Sequence, residues 1–325
     1  MHRFKNILLV CSPVPKNRTC VDRAALLAKQ NRARLTVVDV MEGLPEALPL
    51  MPAVSPQDLC ERLISEAREE LKRFVLPSLH GEVHLTIDVM TGTPFIEIVR
   101  RVLRDEHDLV ITTAEGGRGS KKRQFGSRSL HLMRKCPCPV WLVRTGRRTR
   151  YARVLAAVDP DASNEVKQRL NVRIIQLATS LAIAEGAQLH IVHAWSVPSK
   201  RLSRKIAQTQ AEDSQGVLEA RDARQQEISE LLTNCLPLGV DCQVSLLKGR
   251  VTKKIVETVE KESVDLLVIG TISRVGLPGL FISETAEDIM LRVKCSVLGV
   301  KPYGFQSPVR PDNGKPTNGS SEDGS

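Results

Sequence analysis

The sequence has few aromatic residues, no long apolar run and no regular cysteine spacing. Only 3% of its 325 residues are Phe, Trp or Tyr, so flat surfaces for base stacking are scarce. The longest unbroken apolar stretches, such as Ile7–Cys11, are far too short to cross a membrane or to form the core of a signal peptide. We therefore expect neither a membrane protein nor a secreted one.

The eight cysteines lie at irregular spacings, unlike the disulfide framework of a small secreted protein. A chain of this length can bury an ordinary core, so we expect reduced thiols and a cytoplasmic location. Cys136 and Cys138 form a closely spaced pair. Because no second pair of cysteines or histidines lies at ligand spacing near them, we expect no metal site.

Sequence signatures of catalysis are also missing. The chain has no P-loop lysine motif, no Gly-x-Ser-x-Gly nucleophile elbow and no paired-histidine zinc motif. We therefore expect a protein that is not an enzyme.

Three segments of the chain recur at a constant offset of 157 residues. The chain therefore consists of two diverged copies of one unit, which we call half one (residues 1–146) and half two (residues 151–303). Residues 304–325 are rich in Pro, Asn, Gly, Ser and acidic side chains, which predicts a disordered tail. The matched pairs are Asp108 and Asp265, Gly92 and Gly249, and Cys138 and Cys295.

Each half alternates short β-branched runs with longer amphipathic stretches, which predicts parallel strands joined by crossover helices. The fold class is therefore α/β, with two doubly wound five-stranded parallel sheets. The predicted strands are Asn6–Ser12, Arg34–Val40, Val83–Met90, Leu109–Thr113 and Val140–Arg144 in half one, and Arg153–Asp159, Gln188–His193, Asp241–Leu247, Leu266–Gly270 and Val297–Lys301 in half two.

Proline and capping residues predict where several helices begin. Ser55 and Pro56 predict the start of a helix that reaches about Phe74, and Pro94 predicts one that ends near Glu106. The corresponding helix of half two should begin near Thr252. We expect a surface excursion over residues 44–56 and a short basic linker over residues 145–150.

The excess positive charge is confined to half one. Residues 1–150 hold 26 of the 47 Lys and Arg but only 16 of the 37 Asp and Glu, and the remaining charges balance. Between Arg118 and Arg150 there are eleven basic residues and no acidic one. Such a field attracts polyanions, so a nucleic acid or another polyanion is a candidate partner. A solvated linker and a solvated helix face would explain the same residues.

The loop after the fourth strand of half one is a candidate anion site. Glycines let backbone N–H groups approach a phosphate, and a Gly-Ser pair at a helix start adds a hydroxyl and the positive end of the helix. A plain turn would also explain the glycines. The candidate residues are Gly116, Gly126, Ser127, Lys121, Lys122 and Arg123.

The two halves together resemble a tandem universal stress protein from about Phe4 to Tyr303. That family has a doubly wound fold, and its ATP-binding members carry an aspartate at the end of the first strand and a loop Gly-x2-Gly-x9-Gly-Ser/Thr. The resemblance rests on Asn6-Ile-Leu-Leu-Val, Val154-Leu-Ala-Ala-Val-Asp159, the fourth strands that follow Asp108 and Asp265, His131-Leu-Met-Arg-Lys-Cys-Pro-Cys-Pro-Val-Trp-Leu-Val143, Gly270-Thr-x-x-Arg-x-Gly276 and Thr285-Ala-Glu.

The family pattern is incomplete in both halves. In half one, Gly116, Gly126 and Ser127 match, but Ser12 replaces the aspartate and Thr113 replaces the first glycine. In half two, Asp159 and Gly270 match the pattern, and the remaining positions are Ser273, Ser283 and Glu284.

A non-glycine residue in a left-handed conformation costs roughly 1–2 kcal/mol, and each 1.4 kcal/mol is about tenfold in affinity. Two such positions could weaken binding in half two roughly a hundredfold, and Glu284 would repel phosphate. We therefore expect degenerate nucleotide pockets. ATP is not expected in half two, and half one should accept an anion with poor selectivity for adenosine.

Two further residues near the crevice of half two have competing explanations. Asp159 is followed by Pro160 and Asp161, so it could simply cap a turn instead of binding a ligand. His193 ends a strand, and a packed or solvated side chain is a simpler explanation than an acid–base group.

The last strand of each half, Val140–Val143 and Val297–Val300, is apolar and would be a hazardous free edge. Family members often pair this strand across a two-fold axis, which implies an internal pseudo-dimer here. We expect a non-enzymatic cytoplasmic stress-response protein. The alternatives are an ATP-binding stress sensor and an RNA-, DNA- or polyanion-associated protein that uses the basic face of half one.

Overall fold

A computed structural model describes residues 4–42, 56–79, 83–114, 125–145, 150–161, 163–196, 212–237, 239–271 and 283–311, with backbone alone at 56 and 212–217. These segments contain ten strands, eight α-helices and two short 3-10 helices at Pro15–Asn17 and Leu76–Ser78. Among the described helices, none combines the length and apolar character that crossing a membrane requires.

All ten predicted strands are present, and each observed end lies within two residues of the prediction. The strands are β1 (Asn6–Val10), β2 (Arg34–Met41), β3 (Leu85–Thr91), β4 (Leu109–Thr113), β5 (Val140–Val143), β6 (Arg153–Ala157), β7 (Gln188–Trp195), β8 (Cys242–Lys248), β9 (Leu266–Gly270) and β10 (Ser296–Val300).

The helices begin where proline and capping residues predict. Pro56 and Pro94 are the first residues of α2 and α3, and the fixed φ of proline suits that position. The eight helices are α1 (Arg18–Asn31), α2 (Pro56–Val75), α3 (Pro94–Asp105), α4 (Ser127–Lys135), α5 (Glu165–Glu185), α6 (Glu212–Cys235), α7 (Val251–Lys261) and α8 (Glu284–Arg292).

The strands form one sheet of ten in the order β3-β2-β1-β4-β5-β10-β9-β6-β7-β8. Neighbours within a half are parallel, and β5 and β10 are antiparallel. The α/β fold is thus as predicted, but there is one sheet where two were expected. The reason is that the last strand of each half pairs with the other and removes two free edges.

Buried apolar side chains form one core layer on each face of the sheet. One layer holds alternate strand residues such as Leu9 and Val268 with the buried sides of α1 and α5. The other holds residues such as Leu8 and Leu267 with the buried sides of α3, α4, α7 and α8. Because both faces are covered, the central strands are apolar throughout.

The seam between the halves is closely packed around Gly299. Gly299 pairs with Val140 across the antiparallel strands. An added Cβ at this position would overlap Met133 Sδ and lie 2.8 Å from Thr271 Cγ2. The glycine therefore lets α4 of half one approach β10 without displacing Met133 or Thr271.

Two buried cations cross the seam in opposite directions. Arg144 of half one donates from Nη2 to the carbonyl of Val293, at the C-terminal end of α8, over 3.0 Å. Lys301 of half two donates from Nζ to the carbonyl of Met133, in the last turn of α4. A cation favours this end of a helix because the last carbonyls carry partial negative charge. Burial lowers the pKa of Lys301 to about 8.

A buried ion pair joins the halves on the other face of the sheet. Arg23 of α1 lies 2.5 Å from Glu185, the last residue of α5, and the two side chains are 3% and 7% exposed. The guanidinium also covers the ring of Tyr151 at 3.5 Å. Tyr151 N–H donates to the second oxygen of Glu185 over 2.9 Å.

The predicted surface excursion lies mostly outside the described residues, as do positions 146–149 of the predicted linker. The predicted tail is described only as far as residue 311. There Val309 packs against the second core layer, and the ring of Phe305 lies 5.0 Å from Lys301 Nζ. The disorder of residues 304–325 stays a prediction.

Candidate functional site

Each half has a crevice at the carboxyl end of its strands, where the strand order reverses. The reversal lies between β1 and β4 in half one, and between β6 and β9 in half two. Ligands bind at such a point in open parallel sheets, because the loops that leave the two strands diverge. Of the predicted site residues, Gly126, Ser127, Asp159 and Gly270 lie in described segments, and Gly116, Lys121, Lys122 and Arg123 lie outside them.

In half one, a hydrogen-bonded pair stands where the family pattern has one aspartate. Ser12 Oγ donates to Asp39 Oδ1, at the end of the neighbouring strand β2, over 2.9 Å. Asn17 Nδ2 donates to the backbone carbonyl of Ser12 over 2.9 Å. The crevice of half one therefore contains a carboxylate, but it lies on β2 instead of after β1.

The N-terminus of α4 follows β4, and among the described residues no N-cap side chain closes it. Gly126 is the N-cap residue, and the first turn contains no acidic residue. Ser127 is exposed, whereas Arg128 pairs with Glu42 at 3.0 Å. The first N–H groups of a helix lack intrahelical partners and carry partial positive charge. This end of α4 can therefore accept an anion.

In half two, the aspartate is present but already engaged. Lys167 Nζ lies 3.1 Å from Asp159 and 3.4 Å from Asp161. Burial alone would lower the pKa of Lys167, but the hydrogen bonds and charges of the two aspartates raise it. Asn171 holds the Asp159 backbone by accepting from its N–H over 3.0 Å and donating to its carbonyl over 2.9 Å.

Gly270, at the end of β9, is explained by packing. An added Cβ would lie 3.0 Å from Leu170 Cδ2 and 3.4 Å from Ile174 Cδ1, both on α5. The glycine therefore allows α5 to approach the sheet closely, whether or not a ligand binds.

The N-terminus of α8 has a capping side chain and acidic residues in its first turn. Ser283 Oγ accepts a hydrogen bond from Ala286 N–H over 3.0 Å. Glu284 and Glu287 occupy the first turn, where they already complement the partial positive charge. An approaching phosphate would meet a satisfied N–H group and two carboxylates.

The cavity beside Asp159 is small and largely apolar. It measures about 200 Å³ and is lined by residues such as Leu170, Ile174 and Ile269. Small-molecule sites commonly occupy roughly 300–1,000 Å³. An open cleft of about 750 Å³ adjoins it and shares Val251 and Thr285. The enclosed cavity is smaller than that range, and the open cleft beside it lies within it.

Asp39 is a candidate site residue that sequence reasoning missed. By strand register it corresponds to His193 of half two. Asp39 follows the residue of β2 that pairs with the last residue of β1, and His193 follows the residue of β7 that pairs with the last residue of β6. His193 is 2% exposed, its Nδ1 lies 3.0 Å from the Val158 carbonyl, and burial lowers its pKa. The ring is therefore neutral and packed, as the simpler explanation expects. Alignment of the second strands would have found Asp39.

Most of the described cations in the basic stretch of half one are already engaged. Arg128 pairs with Glu42 and Arg134 pairs with Glu287. Lys135 Nζ lies 4.3 Å from the centre of the Phe95 ring, and Arg144 is buried at the seam. Arg150 is exposed. The other six basic residues of this stretch lie outside the described segments.

The closely spaced cysteines are near each other in space. Cys136 Sγ and Cys138 Sγ are 3.5 Å apart. Within the described residues there is no cluster of three or more His, Cys, Asp or Glu side chains that could hold a metal ion.

The model of the universal stress protein family matches residues 3–144 and 150–301. The chain belongs to the universal stress protein family. Universal stress protein E of Photorhabdus laumondii is 22% identical over 95% of this chain and 99% of its own length. Universal stress protein E of Escherichia coli strain K12 is 24% identical over 96% of this chain and 99% of its own length.

The chain has the same fold as a solved structure of a functionally unknown protein from Pseudomonas aeruginosa PAO1. It has a TM-score of 0.66 and 23% identity, and the alignment covers 93% of this chain and 94% of the other. The predicted tandem universal stress protein fold is therefore confirmed. Membership of the family supports a role in the stress response.

Proposed function

We propose that this chain is a cytoplasmic stress-response protein with two degenerate nucleotide crevices, which bind ligands or partners without turning them over. Family membership supports the stress-response role. All eight cysteines lie in described segments with free thiols, which is typical of a reducing compartment.

One observation carries the proposal of degenerate crevices. Half one combines an open helix N-terminus with a serine after β1, and half two combines an aspartate after β6 with a helix N-terminus that Ser283 caps. A nucleotide needs its phosphates and its nucleoside end held together. Within the described residues, the crevice of half one has only the phosphate-binding group at the family position, and the crevice of half two has only the nucleoside-binding aspartate.

Half one is the crevice that we assign to an anion. The first turn of α4 contains Ser127 and Arg128 and no acid, whereas Glu284 stands at the position of Ser127 in half two. Asp39 in half one is already an acceptor for Ser12, so it is poorly placed to select adenosine. Inorganic polyphosphate should therefore bind at least as well as ATP.

The halves would act as an internal pseudo-dimer. The antiparallel pairing of β5 with β10, the crossing cations and the Arg23–Glu185 pair support this proposal. A stable monomer of one chain then already contains the paired arrangement.

Two matched substitutions test the anion site, because Ser127 and Glu284 are equivalent positions. We expect polyphosphate at low salt to raise the melting temperature of the dialysed protein, since a ligand of the native state stabilises it. Ser127→Glu should abolish that rise, and Glu284→Ser should leave it intact. A rise that survives Ser127→Glu, or no rise in the unmodified protein, would contradict the proposal.

Native mass spectrometry of freshly purified protein tests the rival functions. Co-purified ATP, or its hydrolysis by the protein, would favour an ATP-binding stress sensor. Binding of RNA or DNA that weakens steeply with salt would favour a polyanion-associated protein, since scarce aromatic residues leave contacts to the nucleic-acid backbone as the main interaction.

A further inference from the structure

Three polar side chains of half two form a relay near the amino ends of the strands, away from both crevices. Ser245 Oγ of β8 lies 2.9 Å from His190 Nε2 of β7. His190 Nδ1 lies 2.6 Å from Glu262 Oε2, just after α7. With the Nδ1 proton donated to Glu262, Nε2 accepts the Ser245 hydroxyl proton. This order of hydroxyl, imidazole and carboxylate activates serine nucleophiles on several unrelated folds.

The fold holds the imidazole and the carboxylate in place. His190 is 7% exposed and belongs to β7, which contacts both β8 and α7. Glu262 is the C-cap residue of α7, and Arg153 Nη1 donates to its backbone carbonyl over 2.6 Å. The base therefore has a fixed orientation before any substrate arrives.

Ser245 can be reached from solvent. It is half-buried, and β8 is the last strand of the described sheet. Gly249 N–H donates to the Trp195 carbonyl, so odd-numbered residues of this parallel strand direct their N–H groups towards β7. The N–H of Leu246 then points to the open edge. A backbone N–H directly after the nucleophile is a common oxyanion donor.

The equivalent place in half one has no such relay. Strand register puts Thr36 and Asp88 at the positions of His190 and Ser245, and the offset of 157 residues puts Asp105 at the position of Glu262. Both aspartates pair with Arg101, at 2.8 Å and 2.5 Å. Stable packing at this place therefore does not require the serine and histidine, since half one uses ion pairs.

We propose that Ser245, His190 and Glu262 form an acyl-transfer site for small carboxylic esters, with Ser245 as the nucleophile. Ser245 Oγ attacks the ester carbonyl while its proton passes to His190 Nε2. The C–O bond to the leaving alkoxide breaks, and His190 returns the proton to it. Water then attacks the acyl-serine by the same route, which releases the carboxylic acid and restores the hydroxyl. This activity lies outside the crevices and is independent of their ligands.

A fluorophosphonate probe and p-nitrophenyl acetate test the site on the full chain. Ser245 Oγ should displace fluoride from the probe, and peptide mass spectrometry should find the adduct on Ser245. Ser245→Ala should abolish the adduct and the ester hydrolysis above background. His190→Asn should slow both by roughly a hundredfold or more, as loss of a general base does. Ser229→Ala, at an exposed serine of α6, should change neither.

Circular dichroism establishes that each variant is folded, and Ser245→Ala removes only one hydroxyl. An unlabelled Ser245 in folded native protein would overturn the proposal. Labelling at the same rate in folded His190→Asn would also overturn it, because the histidine would then not activate the serine.

Discussion

The two halves anchor the start of their first strand in the same place with different side chains. In half one, the Asn31 side chain accepts from Phe4 N–H over 3.2 Å. In half two, Glu185 accepts from Tyr151 N–H over 2.9 Å and also pairs with Arg23 of half one. The neutral amide of Asn31 binds only within half one, whereas the carboxylate of Glu185 also connects the two halves.

The two crevices differ in charge at one equivalent position, whereas the seam has a cation in both halves. The seam positions Arg144 and Lys301 are both cationic, and each donates to a carbonyl at the C-terminal end of a helix of the other half. In the crevices, Ser127 and Glu284 stand at one position with opposite consequences for an anion. Packing thus constrains the seam in both halves, whereas a solvent-facing crevice can lose a ligand without unfolding the chain.

The largest expected effect comes from breaking the Arg23–Glu185 pair. Arg23→Leu leaves a buried carboxylate without its cation and should lower the free energy of unfolding by about 3–5 kcal/mol, measured by urea denaturation. When the C-terminal ends of α1 and α5 are aligned, Leu177 of half two corresponds to Arg23, and Asn31 of half one corresponds to Glu185. Both counterparts are neutral. The double variant Arg23→Leu with Glu185→Asn should therefore recover most of the loss. An equal loss in the double variant would show that packing, and not charge, connects the halves here.

A pH-dependent effect should distinguish Lys301 from Arg144. The folded pKa of Lys301 is about 8, below its value of 10.5 in an exposed chain. Between these values the unfolded chain binds more protons, so stability should rise with pH, by up to roughly 3 kcal/mol. Urea midpoints at pH 7.5, 9 and 10 measure the rise. It should vanish in Lys301→Met and in Lys301→Arg, since guanidinium does not titrate there. If both variants keep the increase in stability with pH, other titrating groups cause that increase.

The smallest effects concern the two helix N-termini. Ser283→Ala removes the cap of α8 and should cost about 1 kcal/mol, and Ser283→Gly should cost only a few tenths. Gly126→Ser copies the half-two cap into α4 and should gain about a few tenths of a kcal/mol. Thermal melts of the three variants measure the differences. An unchanged melting temperature in Ser283→Ala would mean that the Ser283 hydroxyl does not act as the cap.

Several parts of the fold could be predicted because their signals are local. Pro94 has a fixed φ that suits a helix start, and the β-branched runs at Leu109–Thr113 and Leu266–Gly270 predicted strands with their exact bounds. The matched offset of Cys138 and Cys295 predicted the duplication. The prediction of a disordered tail rests on composition, which carries no information about the contact of Val309 with the core.

Only those candidate site residues that belong to the family sequence pattern could be predicted. The pattern located Asp159 and Gly126, but it could not show that Lys167 already pairs with the aspartate. Asp39 lies one strand away from the motif position. His190, Ser245 and Glu262 are far apart in the chain, so no spacing rule brings them together.

The sequence alone determined the duplicated α/β units, their strands and their family, because periodicity and motifs are properties of short segments. Tertiary structure alone decided which charges are buried at the seam and which side chains meet in each crevice. Those outcomes depend on contacts between residues distant in the chain, such as Arg23 with Glu185 and Ser12 with Asp39. Burial then determines the energy of each contact, and burial exists only after the chain has folded.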